Sequence, residues 1–414
     1  MIPYVTEAML HPQFWTEHMR GEAATAVHDT VAINQGMSRS PALVPIKMVA
    51  QALLDGHGPG EFVREPDPLP DGFGSGGVSR DDSWKARTRA NAVLKPFKAR
   101  LGFAVRRAAL RSWPTKGRVF RTVFDREFDQ LQQTRIAVFE PVAILGQSQD
   151  EAWFLVQSSI YQGWVLQDSV AWTDSEMFAR FQAVGEAVVI TKPNQAVEPS
   201  PYDGDFDPHL AGTGTILPWA GHGLRVPSQE ELHHEMVFWP MRKEDGSLAV
   251  RPALLPKGPG VSRGFLPATR SHLLHSAFGM LGERYGWGDS FDRHDCSSFA
   301  RDAFRTLGIF LPRNTAAQEQ AVSPRVTLSG SYSQRLAQLD WALPGDLLFM
   351  KGHVMVYLGR DQGRPYVLHA FVGFRHEEVL HLVNQVMVFP LDLLLRSQDA
   401  PYLEAVTSAG RVLA

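Results

Sequence analysis

Short apolar runs separated by turn residues dominate the middle of the chain, and helical spacing is confined to a few stretches around them. Ile136-Ala-Val-Phe, Val142-Ala-Ile-Leu, Trp153-Phe-Leu-Val-Gln and Gly163-Trp-Val-Leu are β-branched or aromatic runs of strand length, and they predict a small, strongly bent barrel. A helical stretch at Asp174 to Ala183 leads to a second set: Glu186-Ala-Val-Val-Ile, Gly214-Thr-Ile-Leu-Pro-Trp, Gly223-Leu-Arg-Val and Glu235-Met-Val-Phe-Trp. Two successive small barrels are the simplest parse. Residues 1–102 read as irregular structure with short helices, one of them from Met48 to Leu54. From residue 267 onward the order changes. A helix is predicted over Thr269 to Glu283, a second one follows Cys296, and strands come last: Leu347-Leu-Phe-Met, His353-Val-Met-Val-Tyr-Leu and Tyr366-Val-Leu-His-Ala-Phe. Helices followed by an antiparallel sheet describe an α+β domain. The predicted architecture is therefore multidomain α+β, divided into segments 1–102, 103–173, 174–266 and 267–414.

Composition narrows the picture further. At 414 residues the chain is long enough for about three domains. No apolar run approaches bilayer-spanning length. Forty-one basic and 44 acidic side chains nearly cancel, so global charge gives no argument for a nucleic-acid partner. The charge is nonetheless uneven: Ser83 to Phe124 holds twelve Lys or Arg residues and no acid. The plain reading is a connector whose charges meet acidic neighbours in the fold. The functional reading is a patch for an anionic polymer or membrane surface. The opening Met1-Ile-Pro-Tyr-Val-Thr-Glu has neither a basic n-region nor an apolar h-region, so the expectation is cytoplasmic, or periplasm and cell envelope if a signal has been trimmed. A single cysteine fits a reducing compartment without excluding the envelope.

That cysteine is the candidate chemistry. Cys296 cannot form an intramolecular disulfide, and Phe299, Ala303, Phe304 and Leu307 recur behind it at helical spacing until Gly308. The sulfur is thus expected at a helix N-terminus, where free N–H groups and the macrodipole favour a thiolate. The bland alternative is a small buried hydrophobe. Two histidines argue for chemistry. Period-two spacing puts His353, Met355 and Tyr357 on one face of a strand, and the next strand carries His369. A hairpin symmetric about Asp361 would make the two imidazoles cross-strand neighbours; an even register shift offsets them along the face, and an odd one separates them. A thiol, an imidazole and a second polar group are the nucleophile, base and orienter of cysteine acyl transfer. Zinc is an alternative by ligand type, but no fourth ligand and no metal-type spacing accompany it, and no cofactor is expected. The pairs His233/His234 and His272/His275 have no partner pattern.

Five blocks carry a specific resemblance. Tyr285-Gly-Trp-Gly with Asp295-Cys-Ser-Ser-Phe, Leu311-Pro-Arg-Asn-Thr-Ala-Ala-Gln, Pro344-Gly-Asp-Leu-Leu-Phe, Gly352-His-Val-Met-Val-Tyr-Leu-Gly and Leu368-His-Ala stand in the order of the NlpC-type papain-like cysteine peptidases. The upstream region resembles the branch of that family with an N-terminal stabilising segment and two bacterial SH3-like barrels.

The resemblance implies a papain-like peptidase domain over 267–414. It implies hydrolysis of cell-wall peptides at the γ-linked bond between D-glutamate and a diamino acid, as in murein peptide recycling. By motif position Cys296 is the nucleophile, His353 the base and His369 the orienting residue. Tyr285 matches a tyrosine that binds substrate or steadies the oxyanion, and the Cys296 N–H is an oxyanion donor by its place at the helix start. In the multidomain branch the first barrel selects peptides with a free N-terminal L-alanine, such as L-Ala-γ-D-Glu-diaminopimelate. Asp295, Asp129 and Tyr161 are the implied partners of that ammonium, since a buried ammonium needs carboxylates. Ser297, Asn314 and Thr315 match a cleft-lining region, where relatives often have Asp-Ser in place of Asn314-Thr315. The competing expectations are a hydrolase or amidase acting on intact wall, and a non-catalytic wall-binding protein.

Overall fold

In the computed structural model, which describes all residues except 1, 18, 20–23, 183–184, 200–208 and 222–232, three β-rich units are braced by an N-terminal helical segment. The segment contains α1 (Pro12–Glu17), α2 (Thr30–Met37), α3 (Ile46–Leu54) and α4 (Asp82–Asn91). Asp29 and Asp81 start α2 and α4 by accepting from first-turn N–H groups that the helix cannot pair. The brace works in two directions. Trp15 of α1 is buried against Tyr366 near the chain end, while Ile46 and Val49 of α3 enter the core of the β units. Each such side chain contributes roughly 1.5–3 kcal/mol by leaving water.

The first β unit is a seven-stranded antiparallel sheet of β1 (Arg100–Ala104), β2 (Ala108–Arg111), β3 (Gln132–Ile136), β4 (Pro141–Gln147), β5 (Trp153–Gln157), β6 (Gln162–Leu166) and β7 (Val170–Thr173). Its order is β3-β2-β6-β5-β4-β1-β7. The run Ile136-Ala-Val-Phe is mostly not a strand: Ile136 closes β3, and Phe139 turns the chain at a φ of 63°. The turn places Phe139 inside, 5.2 Å from Phe103 and 5.3 Å from Phe181, ring to ring. Phe181 belongs to α5 (Ser175–Gln182), and Val188 and Trp239 of the second unit join the same core. The two β units therefore share one hydrophobic interior.

The second unit contains β8 (Ala187–Ile190), β9 (Gln195–Pro199), β10 (His209–Ala211), β11 (Ile216–Pro218), β12 (His234–Arg242), β13 (Leu248–Pro256) and β14 (Val261–Arg263). They form a four-stranded sheet, β10-β9-β13-β12, and a three-stranded one, β11-β8-β14, linked by a Trp219–Val237 bridge. The expected strand Gly223-Leu-Arg-Val lies outside the described residues.

The third unit opens with α6 (Arg270–Phe278), α7 (Cys296–Arg305) and α8 (Thr315–Ala321). The first of these is shorter than the predicted Thr269–Glu283, because the chain leaves the helix at Gly279 and turns left-handed at Gly282 with φ +80°. Its sheet comprises β15 (Arg325–Thr327), β16 (Leu347–Met350), β17 (His353–Asp361), β18 (Arg364–His376), β19 (Val379–Pro390), β20 (Leu394–Leu395) and β21 (Val406–Gly410). The order is β15-β21-β16-β17-β18-β19, with β20 on β18, and α7 packs against β17 and β18.

The basic stretch Ser83–Phe124 is not one continuous patch. Lys85 pairs with Asp71, Lys95 with Glu151, Arg106 with Asp168 and Arg111 with Asp129. No helix among the described residues is long and apolar enough to cross a membrane.

Candidate active site

Cys296 is the first residue of α7 and is buried, with Thr315 Oγ1 3.9 Å from its sulfur. The Val354 backbone N–H is directed at the same sulfur, so His353 is one residue from the thiol. His353 Nε2 lies 2.8 Å from His369 Nδ1.

A bulge makes that contact possible. At the hairpin turn the register pairs Asp361 with Arg364 and Gly359 with Tyr366; continued without change it would set His369 opposite Val356, on the face away from His353. The irregularity between Tyr357 and Gly359 slips the pairing by one residue, so that Tyr357 faces Val367 and Val356 faces Leu368. His369 is then aligned with Met355, on the face of His353. The hairpin is therefore not symmetric about Asp361. Its two-residue offset from that expectation keeps both rings on one side.

The surroundings of the three groups are apolar. His369 is fully buried, stacked on Phe371 at 4.2 Å and edge-on to Tyr402, and its Nε2 has no hydrogen-bond partner. Burial lowers the pKa of His353 to about 4 and that of His369 further below its ordinary value, with the neighbouring His353 adding to the effect. Burial also raises the Cys296 thiol to about 11, helped by the adjacent Asp295. The expected resting thiolate is thus corrected. Desolvation is the largest influence on the sulfur, and burial pushes both the thiol and the imidazole toward their neutral forms.

Charge is concentrated on the other side of α7. Asp295 caps the helix by accepting from Ser298 N at 2.9 Å, and it also takes Gly288 N, Ser297 Oγ and the Arg313 guanidinium, the last at 2.6 Å. Arg313 reaches Ser297 Oγ at 2.8 Å and Thr134 Oγ1 of β3 at 2.6 Å. Asp289 accepts from Thr134 Oγ1 at 2.9 Å and lies within 3.6 Å of both Arg313 and Arg301. Although burial opposes its charge, Arg313, Arg301 and Arg135 hold the Asp289 carboxyl below the usual carboxylate range. Gly288, left-handed at φ +58°, lets its own carbonyl meet Gln132 Nε2 at 2.8 Å; a Cβ there would fall 2.5 Å from Gln132 O. His294 bridges Glu283 at 2.7 Å and Asp302 at 3.1 Å; burial opposes its charge, but those two hydrogen bonds raise its pKa to about 9. The first β unit is thereby bolted to the start of α7 by buried ions.

Two of the expected ammonium partners are engaged within this framework. Asp129 Oδ2 binds Arg111 at 2.8 Å and Oδ1 accepts from Val119 N and Leu131 N, so it holds a turn of the first unit instead of facing the cleft. Asp295 is occupied as described above. Tyr161 donates to Gln133 Oε1 at 2.7 Å and shares a cavity of about 310 Å³ with Asn314, Arg313 and Asp67. Asn314 stands at the N-cap of α8 without capping it, next to Thr315.

Tyr285 is half-buried near Cys296, and burial together with the thiol and Asp295 raises its pKa well above the usual phenol range. The first unit supplies its neighbour. Phe128 lies 6.0 Å from Tyr285 and 5.7 Å from Trp287, ring to ring, while Glu127 pairs with Arg284 and accepts from Asn384 Nδ2. Sequence reasoning missed Phe128, Arg313 and His294. Arg313 stands in the quoted Leu311-Pro-Arg-Asn-Thr block, and His294 two residues before the cysteine, so position alone could have flagged both. Among the described residues no group of three His, Cys, Asp or Glu side chains is placed to hold a metal ion.

Comparison with known proteins agrees with this layout. Residues 282–373 match the NlpC/P60 family and residues 118–166 match the SH3 domain of SH3b1 type. No curated protein sequence matches the chain. Among solved structures, the fold is similar to a novel NlpC/P60 endopeptidase from Photobacterium damselae subsp. piscicida, with TM-score 0.72, 16% identity and 96% of each chain covered. It is also similar to an NlpC/P60 family protein from Bacillus cereus, with TM-score 0.52 and 18% identity over 76% of this chain and 100% of that one. The chain carries an SH3b1-type domain followed by an NlpC/P60 domain, whose family members are cysteine peptidases and related hydrolases.

Proposed function

We propose that this protein is a cysteine endopeptidase that hydrolyses the γ-D-glutamyl–diamino acid bond of cell-wall stem peptides. The observation that carries the reading is the 2.8 Å contact between His353 Nε2 and His369 Nδ1, on a strand whose next N–H meets the Cys296 sulfur. In this mechanism His353 donates Nε2–H to His369 Nδ1, which leaves its own Nδ1 free as the base. Substrate binding brings the γ-carbonyl to the sulfur. The thiol proton passes to His353 as the S–C bond forms, and the oxyanion is met by the Cys296 N–H and the Tyr285 hydroxyl. His353 then protonates the leaving amine of the diamino acid, and a thioester remains. Water, deprotonated by His353, attacks that thioester and regenerates the thiol with release of the γ-D-glutamyl product. A neutral starting pair suits this sequence, because no charge has to be held in an apolar pocket before the substrate arrives.

The free L-alanine end is the finer part of the proposal. Asp129 and Asp295, the carboxylates expected to meet an ammonium, are already neutralised by arginines. Only the exposed Glu65 and Asp67 remain in the cavity beside Tyr161, and an exposed carboxylate is a weak anchor. That observation favours a second reading, in which stems with an acylated alanine, including those of intact wall, are accepted. The site of action follows the substrate: recycling of free peptides belongs to the cytoplasm and wall cleavage to the envelope.

Mass spectrometry on L-Ala-γ-D-Glu-diaminopimelate, its N-acetylated form and purified sacculi tests both. Cleavage after D-glutamate by the unmodified protein, and none by Cys296→Ala, is expected. Turnover retained in the variant would falsify the mechanism. Similar rates on free and acetylated peptides would assign the enzyme to acylated stems, and strict preference for the free amine would restore the recycling role.

A further inference from the structure

Two open cavities of about 380 and 410 Å³ lie end to end away from the catalytic thiol, with Phe291 and Asp292 as their common wall. The first is cut between the first β unit and residues 289–292, and the second continues to Trp239 of the second β unit. Together they are lined by seven cationic side chains and three carboxylates, in a chain whose net charge is −3.

Those carboxylates are engaged from within. Arg111 holds Asp129, Arg135 and Arg107 share Asp292, and Arg313 and Arg301 hold Asp289 from beneath. Lys116 and Arg118, both exposed, have no carboxylate within ion-pair distance among the described residues, and neither has Arg293 in the second cavity. Arg111 adds an independent sign. Its side chain is 9% exposed on the wall of the first cavity, and its Nε has no hydrogen-bond partner. A buried guanidinium N–H without an acceptor is destabilising, and an anion in the cavity would offset that cost. Positive charge is also crowded there: burial and then the neighbouring Arg135 lower the Arg107 pKa to about 10.

We infer that this double cavity is a groove for an extended polyanion of the cell wall, carrying phosphodiester or carboxylate groups along its length. Two adjoining cavities, the first with two cations free of a carboxylate partner among the described residues and the second with one, fit a chain of repeated charges better than a single small ion. Phe291, 46% exposed between them, offers an apolar edge to the polymer's carbon skeleton. The inference rests on the wall-hydrolase reading only for the choice of polymer. Bound there, the polymer would hold the enzyme on the wall independently of the peptide in the cleft.

The test uses the full chain with Cys296→Ala, so that binding is read without turnover. Fluorescence anisotropy against labelled poly(glycerol phosphate), a uronic-acid glycan and single-stranded DNA is measured at low and high salt. Saturable binding to either wall-type polymer is expected, weaker at high salt. It should also be at least about tenfold weaker in Lys116→Glu/Arg118→Glu, whose exposed positions leave the fold intact by thermal unfolding. Preference between the phosphate and the uronate polymer assigns the source of the anion. No saturable binding, or binding that ignores the charge reversal, overturns the groove. DNA bound as tightly with the same sensitivity overturns the wall assignment. Hydrolysis of soluble peptide by the protein with Cys296 intact is a separate measurement, so failure of the groove and failure of the hydrolase reading are distinguishable.

Discussion

The first turn of α7 separates two buried polar clusters that handle charge in opposite ways. On one side Cys296, His353 and His369 sit among aromatic rings, and burial drives each toward its neutral form. On the other, Asp289, Asp295, Asp302, Arg301, Arg313 and His294 are paired with one another as buried ion pairs. In the proposed mechanism the reacting groups change protonation state during turnover, and a site where no countercharge pairs with them directly leaves them free to do so. The structural groups must not, and mutual pairing locks them. Because Thr134 and Gln132 of the first β unit enter the ionic cluster, the same lock sets the position of Phe128 over Tyr285.

The largest expected effect comes from breaking the lock. Arg313→Met removes the cation between Asp289 and Asp295 and leaves two buried carboxylates undercompensated. A loss of about 3–5 kcal/mol in unfolding free energy is expected by urea denaturation, with part of it recovered by adding Asp295→Asn. A loss below about 1 kcal/mol would mean that the surrounding arginines and backbone donors hold the cluster without Arg313.

His294 gives the same cluster a pH dependence. Its folded pKa, about 9, stands above the ordinary value of 6.5, so its contribution is fully present below 6.5 and is lost as pH rises through 9. That window corresponds to roughly 3 kcal/mol. Urea midpoints at neutral and alkaline pH should show the decline, and His294→Gln should flatten it. An unchanged slope in the variant would place the alkaline transition elsewhere.

Much of the catalytic half was legible from sequence because it is local. A lone cysteine before an amphipathic run is placed by periodicity, and two histidines around a Gly-rich turn are placed on one face once the register is known. Even the register error was harmless, since the one-residue slip at the bulge after Tyr357 brings the net offset from a symmetric hairpin to two, which is even. The ionic half was not legible because it is assembled from distant segments. Thr134, Asp289, Arg301 and Arg313 span almost 180 residues, and no spacing rule joins them. Asp295 shows both sides: its capping role follows from standing before the helix, while the arginine that neutralises it comes from elsewhere. The thiolate expectation failed for a related reason, since burial of the sulfur depends on tertiary packing that a helix-terminus argument does not contain.

The neutral half is sharpened by His369. Its ring touches His353 and no ionic group, so in the proposed mechanism it is a positioning residue acting through His353. His369→Ala should lower kcat roughly ten- to hundredfold with little change in KM, and His369→Asn should recover part of the loss by restoring an acceptor. The pH profile separates orientation from mere packing. With a base whose pKa is about 4, activity should be retained through mildly acidic pH and fall only as pH drops toward 4. Opening the pocket in His369→Ala should let water reach His353 and move that acidic limb up toward 6.5. A limb already near 6.5 in the unmodified protein would mean that the base works in a more solvated state than the one described.

The smallest effect lies where the two halves meet. Phe128 is held by the first β unit yet faces Tyr285 and Trp287, so it transmits the ionic lock to the cleft without any charge of its own. Phe128→Ala removes one aromatic wall, a loss of about 0.5–1.5 kcal/mol in packing. If that wall contacts the bound stem peptide in ground state and transition state alike, KM should rise roughly two- to tenfold with kcat unchanged. If instead it only steadies Tyr285, kcat should fall while KM stays constant, because the oxyanion donor would lose its position. Steady-state kinetics on a single γ-D-glutamyl peptide distinguish the two. An unchanged kcat/KM would show that the barrel encloses the cleft without touching either the substrate or the tyrosine's alignment, and the link between the two clusters would then be mechanical only.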